Sequence, residues 1–225
     1  MEMVRTVARQ DGPRGEVVLR QRSGDGPDVD ELIINGVFAM DSSETYTERV
    51  LADLALAGLG QRGVLLGGLG LGYTAARLLA VGVDHLDVVE IEDCLVGWAY
   101  AGLTPTLAAV ARDPKVTLHA GDVATMLTGL RHGPHGPWDA IVLDVDNGPD
   151  FLIHGSNSAL YTSANLAAAY TQLVDGGTLA IWCQGAAPEL LATLRRISAS
   201  ARPHTYRRVR QGRRLSYAIY TLTRP

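Results

Sequence analysis

VLLGGLGLGYTAARLLAVGVDHLDVVEIED, Val64 to Asp93, decides the architecture. VLLGG is a continuous apolar run of the kind found in strands buried on both faces. In the GGLGLG turn that follows, Gly68, Gly70 and Gly72 can take positive φ and let a ligand approach the backbone closely. Tyr73 to Gly82 spaces its apolar residues at the helical period, and His85 to Glu92 returns to a strand that ends in acids. Strand, glycine turn, helix and strand make a βαβ unit.

Outward from that unit the alternation continues. CLVGWAYAGL reads as a helix, Lys115 to Asp122 as a third strand, VATMLTGL as a short helix and Trp138 to Asp146 as a fourth strand. A long loop leads to a helix over Asn165–Leu173, a strand over Thr178–Gly185 and a helix opened by Pro188 in a favourable first-turn position. TYRRVR and LSYAIYTL close the chain as a predicted hairpin around QGRR. Toward the N-terminus, Gly15–Arg22 and Val29–Gly36 have strand character, joined by SGDGPD. Asp41 and Glu44 suggest a capping box opening a helix whose apolar stripe is Val50, Leu51, Leu54 and Ala55. The expectation is an α/β Rossmann-like domain over residues 41–225, its parallel sheet covered on both faces, preceded by a β-hairpin extension over residues 1–40.

With 225 residues, 47% hydrophobic and 20% charged, the chain can bury one sizeable core. A net charge of −4 offers no global attraction for nucleic acid or anionic lipid, so neither is expected as a partner. The pairs Arg195-Arg196, Arg207-Arg208 and Arg213-Arg214 read as solvated faces. Two cysteines, Cys94 and Cys183, are too few for a disulfide framework. No signal-like or membrane-length run is present, and a soluble cytoplasmic protein is expected.

A sheet of this class binds ligands beyond the carboxyl ends of its strands. Glu90 ends the second strand at the distance past the glycines where a carboxylate accepts from a ribose diol. Asp122 ends the third, where it can accept from an adenine amine or cap the following helix. The G-x-G-x-G spacing, Asp122 and the terminal hairpin favour S-adenosylmethionine, or a relative of it, over a dinucleotide. IVLDVDNGPDF then places Asp144, Asp146 and Asp150 after the fourth strand, at the same rim. Asp144 is expected at the boundary of cofactor and substrate. Asp146, Asn147 and Asp150 are candidate substrate contacts in a loop whose Asp150–Ser158 portion reads as a lid. Oxygen ligands at Asp146 and Asn147 could attract a hard cation, but other rim segments add no convergent ligands, and no metal is expected. His132, His135 and His154 read as connector or loop residues, Trp182 as core or pocket wall, and Tyr161 as either a roof or a staple for the helix after it.

The order of LIING, YTERVLADLAL, VLLGGLGLG, VVEIED, VTLHAGD, IVLD and WCQG resembles the spermidine synthases, aminopropyltransferases built on the S-adenosylmethionine methyltransferase fold. The resemblance implies that Glu90 holds the ribose, Asp122 the adenine, and that Asp144 activates an attacking amine. It places Tyr46 and Gln184 beside the transfer site and implies a homodimer assembled through N-terminal strands. The departures are specific. Where that family reads G-G-G-D-G-G, with an acid that fixes the aminopropyl end of decarboxylated S-adenosylmethionine, this chain has Gly70. D-S-S-D-P becomes Asp144-Val145-Asp146-Asn147-Gly148, and Ala186 replaces the acid after C-Q-G. A diamine pocket needs those carboxylates. The expected function is therefore methyl transfer from S-adenosylmethionine to a small-molecule acceptor. Aminopropyl transfer from the decarboxylated cofactor, and a non-catalytic S-adenosyl-binding scaffold, are the alternatives.

Overall fold

The computed structural model describes residues 3–60, 62–129, 136–145, 148–149, 152, 155–210 and 213–225. Where a single hairpin was expected at the N-terminus, four antiparallel strands lie side by side in chain order: β1 (Met3–Gly12), β2 (Gly15–Ser23), β3 (Val29–Ile34) and β4 (Val37–Asp41). β1 leaves no hydrophobic pattern to read because nearly all of it is exposed, including Met3 and Val4. β3 stops at Ile34, and Asn35 and Gly36 turn the chain with φ of 53° and 74°. Two consecutive positive φ values are the backbone of a tight hairpin matched to strand twist. Val17, Leu19, Leu32 and Ile34 on the inner face of this sheet join the main core.

α1 (Tyr46–Ala55) begins later than the capping-box reading implied. Asp41 Oδ1 accepts from the Ser43 N–H, the Ser43 hydroxyl and the Glu44 N–H, so it organises the loop before the helix. The buried face is also rotated from the expected stripe. Thr47, Glu48, Leu51, Ala52 and Ala55 point inward, whereas Val50 and Leu54 are only half-buried.

Next come β5 (Gly63–Gly67), α2 (Tyr73–Val81), β6 (His85–Glu90), α3 (Asp93–Ala101), α4 (Pro105–Arg112), β7 (Val116–Ala120), α5 (Val123–Leu127) and β8 (Trp138–Leu143). α4 was not anticipated. Gly102, at φ 70°, ends α3, and Thr104 accepts from the Leu107 N–H with Pro105 in the first turn, opening a new helix. After a 3₁₀ turn over Gly155–Tyr161 the chain continues through α6 (Ser163–Thr171), β9 (Leu173–Cys183), α7 (Pro188–Ile197), β10 (Arg202–Arg210) and β11 (Arg213–Thr223). His132, His135 and His154 lie outside the described residues.

The second sheet has seven strands in the order β10-β11-β9-β8-β5-β6-β7. β9, β8, β5, β6 and β7 are parallel; β11 runs antiparallel to β9 and to β10. Alternate residues of β5 close opposite faces: Val64 and Leu66 pack with the α1–α4 side, Leu65 with the α5–α7 side. The chain leaves β5 toward β6 and β7, then returns to β8 on its other flank. That reversal opens a crevice at the carboxyl ends of β5 and β8. Among the described residues no single helix is long and apolar enough to cross a membrane.

Leu66 is fully buried in this central strand. Leu66→Ala is expected to lower unfolding free energy by about 2–5 kcal/mol through lost burial and a residual cavity. Val4→Ala, on the exposed edge, should stay within about 0.5 kcal/mol of wild type. Urea denaturation of the two variants measures the contrast.

Candidate functional site

A cavity of about 200 Å³ sits over the carboxyl ends of β5, β6, β7 and β8, with Phe38 and Met40 of the N-terminal sheet also in its lining. Gly68 adopts φ 92°, and a Cβ there would lie 2.1 Å from the Asp144 carbonyl oxygen. The Gly68 N–H donates to Val89 O at 2.8 Å and the Asp144 N–H to Gly67 O at 2.9 Å. Gly70, at φ 50°, faces Met40, whose sulfur would be 2.7 Å from a Cβ at that position and accepts from the Leu71 N–H at 3.3 Å. Gly72 departs from its expected cofactor role. It starts α2 in a left-handed conformation and faces Leu107, Thr106 and Val110, away from the cavity lining.

Glu90 lines the cavity from a fully enclosed position. One carboxylate oxygen accepts from the Leu69 N–H at 2.7 Å and the Gly70 N–H at 3.4 Å, and the other from the Glu92 N–H at 2.8 Å. Burial raises its pKa, and these N–H donors oppose that rise. The carboxylate thus clamps the glycine loop. Each oxygen has two lone pairs, which leaves acceptor capacity toward the cavity. Asp122 caps α5, its Oδ1 accepting from the Ala124 N–H at 2.8 Å, and it also lines the cavity.

Asp144 follows β8 directly, half-buried in the cavity wall, and its Oδ2 accepts from the Thr74 hydroxyl at 2.5 Å. Burial pushes its pKa up to about 6, against the lowering effect of that hydrogen bond. Glu48 shares the wall and was missed in the sequence. Its pKa is raised to about 7, first by burial and then by the negative charge of Asp144. Its Oε2 accepts from the Thr47 hydroxyl at 2.9 Å. The signal was a charged residue one turn before Leu51 and Ala52, on the face of α1 that those residues bury. Two neighbouring acids that titrate near neutrality can hold or take up one proton, as general acid–base work requires.

Gln184, just past β9, also lines the cavity. Tyr46 does not: it is exposed, edge-on to Tyr206 at 6.1 Å, with the Arg208 guanidinium 4.3 Å above its ring. The buried face of α1 explains this, since Tyr46 lies about 100° and 200° around the helix from the buried Thr47 and Glu48. Tyr161 acts as the staple; its hydroxyl donates to Val145 O at 2.9 Å and it stays out of the lining, whereas Asn157 and Leu160 of the same turn enter it. Asp146, Asn147 and Asp150 lie outside the described residues, as does much of the segment read as a lid. Among the described residues no group of three or more His, Cys, Asp or Glu side chains is placed to hold a metal.

The residues present fit an S-adenosyl ligand. The wall in strand order offers bare glycine backbone, a buried acid with one lone pair to spare and a second acid at the next strand end. Two measurements follow. Gly68→Ala should destabilise the protein by at least about 1–3 kcal/mol, because it combines a strained φ with a backbone clash. For Glu48 and Asp144 the folded pKa values exceed those of the unfolded chain, so the fold binds extra protons between about pH 4 and 7. Their contribution is therefore most favourable below pH 4 and is lost as pH rises through that window. Thermal unfolding between pH 5 and 8 should show a shallower decline for Glu48→Gln than for wild type.

No protein-family model matches the chain. Putrescine N-methyltransferase 1 of Nicotiana tabacum and putrescine N-methyltransferase 1 of Nicotiana attenuata are each 35% identical to it over 101 residues, 44% of this chain. The matched region spans only about a quarter of the length of those curated relatives. A spermidine synthase in complex with the transition-state analogue AdoDATO superposes with a TM-score of 0.73 at 18% identity, covering 96% of this chain and 73% of the other. Spermidine synthase from Thermotoga maritima gives 0.72 at 17% identity, with 96% and 72% covered. From its N-terminal antiparallel sheet to its terminal hairpin, the chain carries the Rossmann-like methyltransferase fold in its spermidine synthase-like form.

Proposed function

We propose that the chain is an S-adenosylmethionine-dependent transferase that methylates a small-molecule amine. The observation that carries the choice of group is the space beside Gly70. Met40 fills it with a thioether, so the position where spermidine synthases are expected to hold an aminopropyl ammonium presents no carboxylate. The partial match to putrescine N-methyltransferases supports the same direction. Aminopropyl transfer from the decarboxylated cofactor is the second reading, favoured by the likeness of fold to spermidine synthases.

In this reading Gly68, the N–H groups of Leu69 and Gly70, Glu90 and Asp122 hold the nucleoside and its tail. When bound, S-adenosylmethionine supplies a methyl group on a positively charged sulfur that needs no further activation. The protein's tasks are alignment and proton removal. Transfer to the acceptor nitrogen would leave the electron pair of the C–S bond on sulfur and one surplus proton on the nitrogen. The surplus proton passes to Asp144, with Glu48 as the second acid of the pair. Thr74 orients Asp144 through the 2.5 Å hydrogen bond. A homodimer and a cytoplasmic setting belong to the proposal as well, with the exposed Met3 and Val4 of β1 as the surface for a second copy.

Isothermal titration with S-adenosylmethionine and its decarboxylated form separates the two readings. The expected result is at least a tenfold preference for the former; a clear preference for the latter ends the methyl-transfer reading. Asp144→Asn should reduce kcat by about 10²–10⁴ while leaving cofactor affinity within a few-fold. Cofactor binding without turnover of any amine would favour a binding protein instead.

A further inference from the structure

The strand order of the seven-stranded sheet sorts the cavity wall into two halves. On the β5-β6-β7 side stand the glycine loop, Glu90 and Asp122. On the other side of Asp144 the wall comes from β9 and β11, and there it presents Trp182, Leu215 and Tyr217, with Gln184 at the rim. Trp182 and Tyr217 stack on one another, ring centroids 5.7 Å apart at 35°. This half is an aromatic and aliphatic surface.

Among the described residues, the other charges near it are engaged elsewhere. Glu44, at the mouth, faces Arg208 at 3.5 Å. Asp41 spends one carboxylate oxygen on Ser43 and Glu44 of its own loop. Among the described residues, the acids that face the acceptor half from the wall are then Glu48 and Asp144, and the Coulombic coupling between them disfavours carrying two charges at once. The pair therefore balances one ammonium. A second ammonium farther along would sit against Trp182, Leu215 and Tyr217. A cation held only by an aromatic face recovers less than it loses on leaving water.

We infer that the acceptor is a monoamine with an aromatic or aliphatic body, its nitrogen at Glu48 and Asp144 and its body on Trp182, Leu215 and Tyr217, and that diamines are disfavoured. This rests on the transferase reading above. It differs from what the names of the putrescine N-methyltransferases would suggest, and the difference lies in the β9–β11 wall.

The test uses the full chain saturated with S-adenosylhomocysteine and titrated at pH 6.5, between the pKa values of Asp144 and Glu48, with phenethylamine, hexylamine, putrescine and 1,6-diaminohexane. Each monoamine is expected to bind at least tenfold tighter than either diamine. Leu215→Glu, which adds a carboxylate to the apolar half, should raise 1,6-diaminohexane affinity about tenfold and weaken phenethylamine. Equal or tighter binding of the diamines by wild type overturns the inference, and so does binding of S-adenosylhomocysteine with no binding of any amine. Failure to bind S-adenosylhomocysteine, with the order of amines retained on the unliganded protein, overturns the transferase reading and leaves the selectivity of the wall standing.

Discussion

The absence of a side chain at Gly68 lets the end of β5 press directly on the backbone of Asp144. With a Cβ position 2.1 Å from the Asp144 carbonyl, no other residue leaves these segments where they are. The pairing of Gly67 with Leu143 brings β5 and β8 to the rim in step, and the Asp144 N–H closes that pairing on Gly67 O. Two consequences follow. Asp144 is delivered to the Thr74 hydroxyl at the start of α2, and the glycine loop turns its N–H groups toward Glu90. One steric constraint thus sets the cavity's floor and its reactive edge together.

The buried acids divide into two kinds. Glu90 is enclosed but its oxygens take three backbone N–H groups, so its charge stabilises the loop that it clamps. Glu48 and Asp144 each take one threonine hydroxyl and crowd one another electrostatically. An apolar pair at those positions would make a more stable wall. Sites that keep an unfavourable arrangement of charge inside an otherwise consistent fold are where chemistry is to be sought. Carboxyl groups poised between pH 6 and 7 are suited to exchanging protons with an amine.

The N-terminal sheet completes the cavity. Met40, at the end of β4, reaches across to the glycine loop, where its sulfur takes the Leu71 N–H and excludes a side chain at position 70. Leu32 and Ile34 of β3 enter both the core and the lining, so this sheet is packed to the domain by the same residues that shape the site. A change of residue at position 70 and one at position 40 are therefore coupled, although thirty residues separate them in the chain.

Sequence alone determined the alternation of strands and helices, the glycine turn and the acids at the ends of β6, β7 and β8. A strand buried on both faces must be an unbroken apolar run, and the residue after it must be polar because the rim meets solvent or ligand. Such signals are local. β1 left none, since an exposed strand has no core face to pattern, and α4 is a short helix whose Thr-Pro start went unread. Tertiary structure decided which side chains of a correctly placed element face the cavity. A helix turns about 100° per residue, so burying Leu51, Ala52 and Ala55 of α1 carries Glu48 inward with them and leaves Tyr46 outward, beside Arg208. The same holds for Gly72, taken up by packing on α4, and for the wall of Trp182, Leu215 and Tyr217, which exists only because β11 pairs beside β9. Contacts between residues distant in the chain depend on strand order and helix phase, and neither is written in any one stretch of residues.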